Sequence, residues 1–505
     1  MSLLAYIIIL LSTIILSAII YDCIYTISLY KKTRNLPGPK KLPFIGSLHC
    51  LLAGRLEDFL SNVMRITSLY QSPFKFWLGT RLLIIVTEAE QIKTVLSSPK
   101  AIEKNDMYKF FRPWMGSGLF TAEGAKWKLH RKLITPTFNL KILESFVEIF
   151  AKKANILVKR MEMELDGKEF EISKYIARCT LDFICETAMG INIDAQEGNL
   201  KHAESSREVF DIIFKRVLQI WLHPDIIFNN TKAGKRQHEL ITYLHSITDE
   251  ASVLLFLTDS KLKGCDNIAD KNNKMFLDHL IELTKDGNKF TDQEIREEID
   301  TMLLAGSDTS ANVNMFTLLM LACHPEIQEK VYQELYDIYG SSDPVVDPVK
   351  SEDLQRMDYL ERVIKESMRL FPVAPLIFRR LTGDIVLDDG TILPSGSSIG
   401  IIIYKVHRDE KYWNEPLKFD PDRFLPVNSV NRHPYTYIPF SGGSRNCLGM
   451  RYAMMSMKVL IATILRTYAL RKDEIIPISS IKLKFQIILR PVKPVTIRIE
   501  KRICR

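Results

Sequence analysis

The sequence predicts a mainly helical α+β protein, and three observations lead there. From about Gly124 to Tyr339 the apolar residues recur with helical spacing; within that span 291–323 reads as one unusually long helix; short alternating segments near both ends read as strands of small sheets. At 505 residues and 46% hydrophobic content the chain can bury a large core, and no internal repeat or obvious internal boundary divides it. Lys plus Arg is 68 against 60 for Asp plus Glu, a net +8 spread along the chain without the dense basic tracts of a nucleic-acid tail. No nucleic-acid partner is expected. An acidic partner or an anionic membrane surface is the more economical target.

The amino terminus, "MSLLAYIIILLSTIILSAIIY", carries no charge before Asp22, and residues 3–21 are long enough to cross a hydrocarbon layer as one helix. A cleavable secretory signal would want a basic stretch before the apolar run and a small-residue cleavage site, and neither is evident. Residues 1–30 therefore read as an uncleaved membrane anchor. Lys31, Lys32, Arg34, Lys40 and Lys41 follow it, so the positive-inside bias leaves the rest of the chain in the cytosol. Then comes "LPGPKKLPFIG", where Pro37, Pro39 and Pro43 stiffen the chain and Gly38 and Gly46 let it turn. Residues 31–46 read as a basic, proline-rich hinge to a catalytic body over 47–505.

Within the body, "PFKFWLGTRLLIIVTEAEQIKTVL" (73–96) reads as two strands around Gly79 followed by a helix. The helical region is broken by "GCDNIADKNN" (264–273). Thr291 and Glu294 form a capping box at the start of the long helix, and His324-Pro325 ends it and begins another. Asp389-Gly390 centres a hairpin, and the tail "IKLKFQIILRPVKPVTIRIEK" alternates like strands.

Eight cysteines stand at 23, 50, 179, 185, 265, 323, 447 and 504, with no CxxC pair. A reducing cytosol disfavours a disulfide framework, and a zinc site would want clustered ligands. One cysteine is set apart by its surroundings. "FSGGSRNCLG" (440–449) holds Cys447 among Gly442, Gly443 and Gly449, just before the helical pattern "LGMRYAMMSMKVLIATILRTYAL". Free N–H groups at a helix start stabilise a thiolate, and the glycines allow close approach of something flat and large. A haem iron is such a target; a buried small residue in a glycine-rich turn is the alternative.

Phe440, Gly443, Arg445, Cys447 and Gly449 reproduce FxxGxRxCxG, and on this motif the chain resembles the cytochrome P450 superfamily. The resemblance extends over nearly the whole chain and is greatest with the animal microsomal branch that includes the fatty-acid ω-hydroxylases, "CTLDFICETAMG" (179–190) being similar to a stretch common there. It implies the P450 fold around the long helix and a haem held by Cys447 as metal ligand.

Other motifs are ambiguous alone. In "KESMRL" Glu366 and Arg369 share a helix face and can pair, as countless surface bridges do. The resemblance makes Glu366, Arg369 and Arg423 a buried structural network bracing the cysteine loop. In "WKLHR" Trp127 and Arg131 lie one above the other, which also suits a surface cation–π pair. The resemblance makes both haem-propionate donors, with Arg379 and Arg445 at the other two such positions. "AGSDTS" (305–310) can be ordinary helix interior with an exposed acid; by resemblance Ala305 and Gly306 form the oxygen groove, while Asp308 and Thr309 relay the protons for O–O cleavage.

Two departures set this chain apart from the ω-hydroxylase pattern. Ala305 stands where that branch often carries a Glu able to esterify haem, so haem b is expected to be non-covalent; Ser456 stands where an acid is common. The function expected is monooxygenation, RH + O2 + NADPH + H+ giving ROH + H2O + NADP+, on a small lipophilic substrate such as a fatty-acid-like molecule, a terpenoid or a xenobiotic. By resemblance, aromatic and apolar residues in 107–120 and 209–228 roof its pocket, though they also suit a core. No GxGxxG nucleotide loop is found, so electrons are expected through NADPH–cytochrome P450 reductase, with cytochrome b5 as an aid. Lys126, Lys128, Lys132 and Arg451 are candidates for its docking face, or for a solvated surface, and the setting implied is the endoplasmic reticulum membrane. Two rivals remain: a haem-thiolate isomerase or dehydratase, and a non-catalytic haem-binding membrane protein.

Overall fold

A computed structural model describes residues 3–52, 54–165, 167–198, 201–262, 276–285 and 290–502. The break expected at 264–273 lies outside the described residues. Helices dominate: after α1 (Leu3–Lys32), α2 (Phe59–Leu69), α3 (Gly124–Ile134), α4 (Ile172–Met189), α5 (Lys201–Leu218), α6 (Asp292–Cys323), α7 (Asp358–Leu370) and α8 (Met450–Thr467) frame the site.

The 32-residue α6 is the axis of the fold. Its start is sealed reciprocally, the Thr291 hydroxyl accepting the Glu294 N–H at 3.2 Å while the Glu294 carboxylate accepts the Thr291 N–H at 3.0 Å. Most of its side chains are buried on all sides, the pattern of a helix enclosed by others. α4, α7 and α8 pack against it. Pro325 opens the next helix (Pro325–Tyr339), as expected.

Strands β1 (Phe74–Leu78), β2 (Arg81–Val86), β3 (Ile377–Arg380) and β4 (Ser398–Ile401) form a sheet in the order β1-β2-β4-β3. β2 and β4 run parallel, Ile84 opposite Ile399; β1 with β2 and β3 with β4 are antiparallel. The Asp389-Gly390 hairpin joins Ile385–Val386 to Ile392–Leu393. In the tail, β5 (Leu483–Gln486) and β6 (Ile488–Pro491) form a hairpin, and Thr496–Lys501 pairs with Phe170–Glu171 and Tyr468–Arg471.

Residues 37–47 lie along β1. The Lys75 N–H donates to the Pro37 carbonyl at 2.8 Å, and the Ser47 N–H to the Trp77 carbonyl. α1 precedes them with Tyr6, Ile9, Leu16, Ile20, Ile24 and Ile27 exposed. Among the described residues no helix is long and apolar enough to cross a membrane. The spanning helix expected near the amino terminus is thus not found among the described residues.

Candidate active site

A cavity of about 480 Å³ opens beneath α6, and Cys447 lies on its wall. The loop before α8 is closed by a backbone bond, the Cys447 N–H donating to the Phe440 carbonyl at 2.9 Å, and Gly443 turns with φ +68°. A Cβ at Gly443 would lie 1.9 Å from the Leu96 carbonyl oxygen, so no other residue fits there. Gly449 differs. The nearest atom to a Cβ built on it is Phe138 Cε1 at 4.0 Å, so the bare backbone faces cavity rather than protein.

The Cys447 side chain is exposed, yet what it meets is this cavity. Protein surrounds it otherwise, and burial pushes its thiol above the ordinary value, outweighing the Gly449 N–H and the Arg131 guanidinium, which pull the other way. The helix-start stabilisation expected from sequence is present but smaller than the desolvation it opposes.

On the facing wall α6 presents Ala305, Gly306 and Thr309. Ala305 is exposed within a helix whose neighbouring Leu304 and Ser307 are buried, which marks where the cavity meets α6. The Thr309 hydroxyl donates to the Ala305 carbonyl at 2.5 Å. Asp308 also lines the cavity, but its carboxylate accepts from Arg490 of β6 at 2.7 Å rather than from Thr309. The proposed acid and alcohol are therefore adjacent on α6 without being bonded to one another.

Cations gather beside the cysteine loop. Arg379 is placed by strand alternation, buried on the same face of β3 as Ile377, while Arg380 is exposed. Its guanidinium donates to the Phe378 carbonyl and the Ser441 hydroxyl. Arg445 donates to the Ile102 and Ala122 carbonyls and lies over the Trp127 ring at 4.5 Å. Its remaining nitrogen, Nη1, is buried with no partner. Arg131 is used differently from expectation: both terminal nitrogens donate to Asn446, at 2.8 and 3.0 Å, so it ties α3 to the cysteine loop.

Lys104 was not evident from sequence. It lines the cavity with its ammonium over Tyr108 at 4.4 Å, and burial, then Arg379 and Arg445, hold it well below the usual lysine value. Arg445 is itself brought down to about 10, first by burial and then by Arg379. Among the described residues neither these two nor Arg379 forms an ion pair with a carboxylate. Clustered cations without a directly paired carboxylate, one orphaned donor and an unfilled backbone cradle beside a thiol fit a flat metal macrocycle bearing carboxylates. Among the described residues no group of three His, Cys, Asp or Glu could hold a metal ion by itself.

At the centre of the brace behind the loop, Glu366 and Arg369 are fully buried. Arg369 donates twice to Glu366 at 2.7 Å and once to the His407 carbonyl at 2.8 Å. Arg423 approaches the same carboxylate at 3.4 Å, and the Asp420 N–H donates to it at 3.0 Å. His407 continues the chain of contacts, its Nε2 accepting the Ile438 N–H at 2.9 Å, two residues before Phe440.

Above the cavity, Met107, Tyr108, Phe111 and Phe120 of the first expected roof segment and Phe210 and Phe214 of the second line it, whereas Trp221, Ile226 and Ile227 are exposed. The roof is pinned to α6, since Glu298 accepts the Leu119 N–H at 3.0 Å and contacts His130 Nδ1 at 2.6 Å. Lys126 pairs with Glu294 at 2.8 Å, while Lys128, Lys132 and Arg451 are exposed.

The chain belongs to the cytochrome P450 family, whose model matches residues 36–498. It is 38% identical to human cytochrome P450 4V2 over 94% of this chain and 91% of that protein. Cytochrome P450 4c21 of Blattella germanica is 38% identical over 93% of this chain and 94% of its own, and cytochrome P450 4c3 of Drosophila melanogaster 34% over 94% and 90%. These relatives belong to the branch indicated by the motifs, and the protein is a cytochrome P450 monooxygenase.

Proposed function

We propose that this monooxygenase inserts one atom of O2 into a lipophilic small molecule, with electrons from NADPH supplied by a separate reductase. The observation that carries the reading is the single cavity shared by Cys447, Ala305 and Thr309, walled elsewhere by apolar side chains. Haem b is the group its residues would hold, with Cys447 as iron ligand and Arg445, Arg379, Lys104 and Trp127 towards its carboxylates. When bound, it would supply the redox chemistry that activates dioxygen, which a thiolate ligand favours.

The chain's own contribution is positional. Gly449 leaves the cradle open, and the Glu366, Arg369 and Arg423 network holds the loop from behind. Thr309 Oγ1 would pass a proton at the cavity wall, and the Asp308 carboxylate, held by Arg490, would orient the water that replaces it. Apolar walls exclude bulk water from the substrate.

The division into a membrane-associated segment at 1–30, a connection at 31–46 and a catalytic body belongs to the same proposal. Its support is the row of exposed apolar side chains on α1, which suits the endoplasmic reticulum surface. Exposed Lys128, Lys132 and Arg451 near the cysteine loop suit an acidic reductase or cytochrome b5. The test is reconstitution with NADPH, reductase and 18O-labelled O2. Labelled product, together with a thiolate-type ferrous–CO Soret band lost in Cys447→Ser, is expected; turnover of a peroxide substrate without reductase would favour the isomerase instead.

A further inference from the structure

The cysteine loop is fastened to α7 through one imidazole. His407 is fully buried; its carbonyl accepts from the Arg369 guanidinium at 2.8 Å, and its ring Nε2 accepts the Ile438 N–H at 2.9 Å. Because Nε2 accepts, the ring is neutral and carries its proton on Nδ1. One residue earlier in the strand, Tyr437 stacks on the same imidazole at 5.3 Å, and its hydroxyl donates to the Lys365 carbonyl of α7 at 3.0 Å. The backbone is therefore held at 437 and 438, just before it enters the loop.

Two backbone bonds carry this placement towards Cys447. The Ile438 carbonyl accepts the Ser441 N–H at 3.0 Å, and the Phe440 carbonyl accepts the Cys447 N–H at 2.9 Å. Between them Ser441 holds φ +62°, a left-handed conformation that a residue with a Cβ keeps only where its surroundings impose it. The bond back to Ile438 and the donation from Arg379 to the Ser441 hydroxyl at 3.3 Å are those surroundings. Ile438 is itself buried, so without the imidazole its N–H is a donor shut away from water with no partner, and the strand must shift to satisfy it.

We infer that His407 is a positioning residue for Cys447: its Nε2 sets where the loop begins and, through Ile438 and Ser441, where the cysteine sulfur stands on the cavity wall. This rests on Cys447 as iron ligand in the reading above, while the bond it turns on belongs to the chain without cofactor.

The test pairs His407→Gln with His407→Asn. The Gln amide reaches the place of Nε2 and keeps an acceptor for the Ile438 N–H; the shorter Asn amide ends where Nδ1 stood and does not. In the apoprotein, hydrogen exchange of the amides in 438–449 rises by at least about tenfold in the Asn variant and stays at the parent rate in the Gln variant, while strands β1 and β2 exchange as before. In the holoprotein, the ferrous–CO complex of the Asn variant loses the thiolate-type Soret band, and that of the Gln variant keeps it. Unchanged exchange in the Asn variant, an equal rise in the Gln variant or a rise over the whole chain overturns the inference. So does a thiolate band kept by the Asn variant, or failure of both variants to fold. Should Cys447→Ser in the parent chain keep the thiolate band, the ligand reading falls by itself, and the exchange rates still decide whether His407 holds the loop.

Discussion

Arg490 donates to the Asp308 carboxylate at 2.7 Å, joining β6 to the middle of α6 across 182 positions of sequence. Both side chains are largely buried, at 13% and 8% exposure. Arg490→Met leaves the carboxylate without its hydrogen-bonded cation and lowers unfolding free energy by about 3–5 kcal/mol, the usual cost of breaking a buried pair from one side. Asp308→Asn in the same chain recovers part of it. A double-mutant cycle in denaturant measures the coupling; a value below about 0.5 kcal/mol would mean that the pair contributes nothing specific.

Thr309→Ala removes a hydroxyl whose only protein bond is to its own helix, so haem incorporation is retained. Product per NADPH falls by at least about tenfold while hydrogen peroxide rises, less than the 10²–10⁴ of a general acid because water substitutes in part. The check is stoichiometry of NADPH, peroxide and product. Unchanged coupling would take Thr309 out of the relay.

Two glycines of the cysteine loop separate folding from cofactor binding. Gly443→Ala forces a Cβ against the Leu96 carbonyl at a residue with φ +68° and lowers stability even in the apoprotein. Gly449→Ala meets no protein atom closer than 4.0 Å, so the apoprotein melts normally while haem retention drops. Thermal melts of apoprotein and haem titrations distinguish the two. Equal melting losses would refute the assignment of Gly449 to the cradle.

Acid stability is set in part by His407. Burial first, then Arg369, holds its imidazole down to about 3, so the folded protein keeps it neutral. An unfolded histidine titrates near 6.5, so the unfolded state binds more protons below that pH. The stability contributed is complete above about 6.5 and is lost as pH falls towards 3, at up to about 1.4 kcal/mol per unit. His407→Gln, whose amide oxygen can still accept the Ile438 N–H, should flatten this slope of unfolding free energy against pH between 6.5 and 4. An unchanged slope would place the acid sensitivity elsewhere.

Ala305 brings no carboxylate to the cavity wall, and the Asp308 carboxylate that lines the cavity is held by Arg490. Acid–organic extraction should release essentially all the haem. Haem remaining with the polypeptide on a denaturing gel would defeat this expectation.

Much of the site was legible because its signals are local. The capping box, the strand pair around Gly79, the cysteine loop and the i,i+3 pair of Glu366 and Arg369 all depend on residues a few positions apart, whose relative placement follows from helix and strand geometry. The family motifs extended this to Arg379, Arg423 and Arg445, whose burial no spacing reveals. Arg131 was found but given a different bond, since its partner Asn446 is 315 positions away.

What sequence could not supply is distance and dielectric. Lys104 sits in an ordinary polar stretch, "EKND", and becomes part of the site only because the roof segment folds over the cavity beside Arg379 and Arg445. Lys126 and Lys128 stand two residues apart on α3, yet helix rotation turns Lys126 onto Glu294 and leaves Lys128 in water. Cys447 owes its thiolate-favouring contacts to its place before α8, but the sign of its net shift comes from how completely protein surrounds it. Backbone conformation is governed by near neighbours, and the chain alone specifies it at these motifs. Burial and Coulomb energies depend on separation in space, which the packing of α6 against its surrounding helices and sheets establishes.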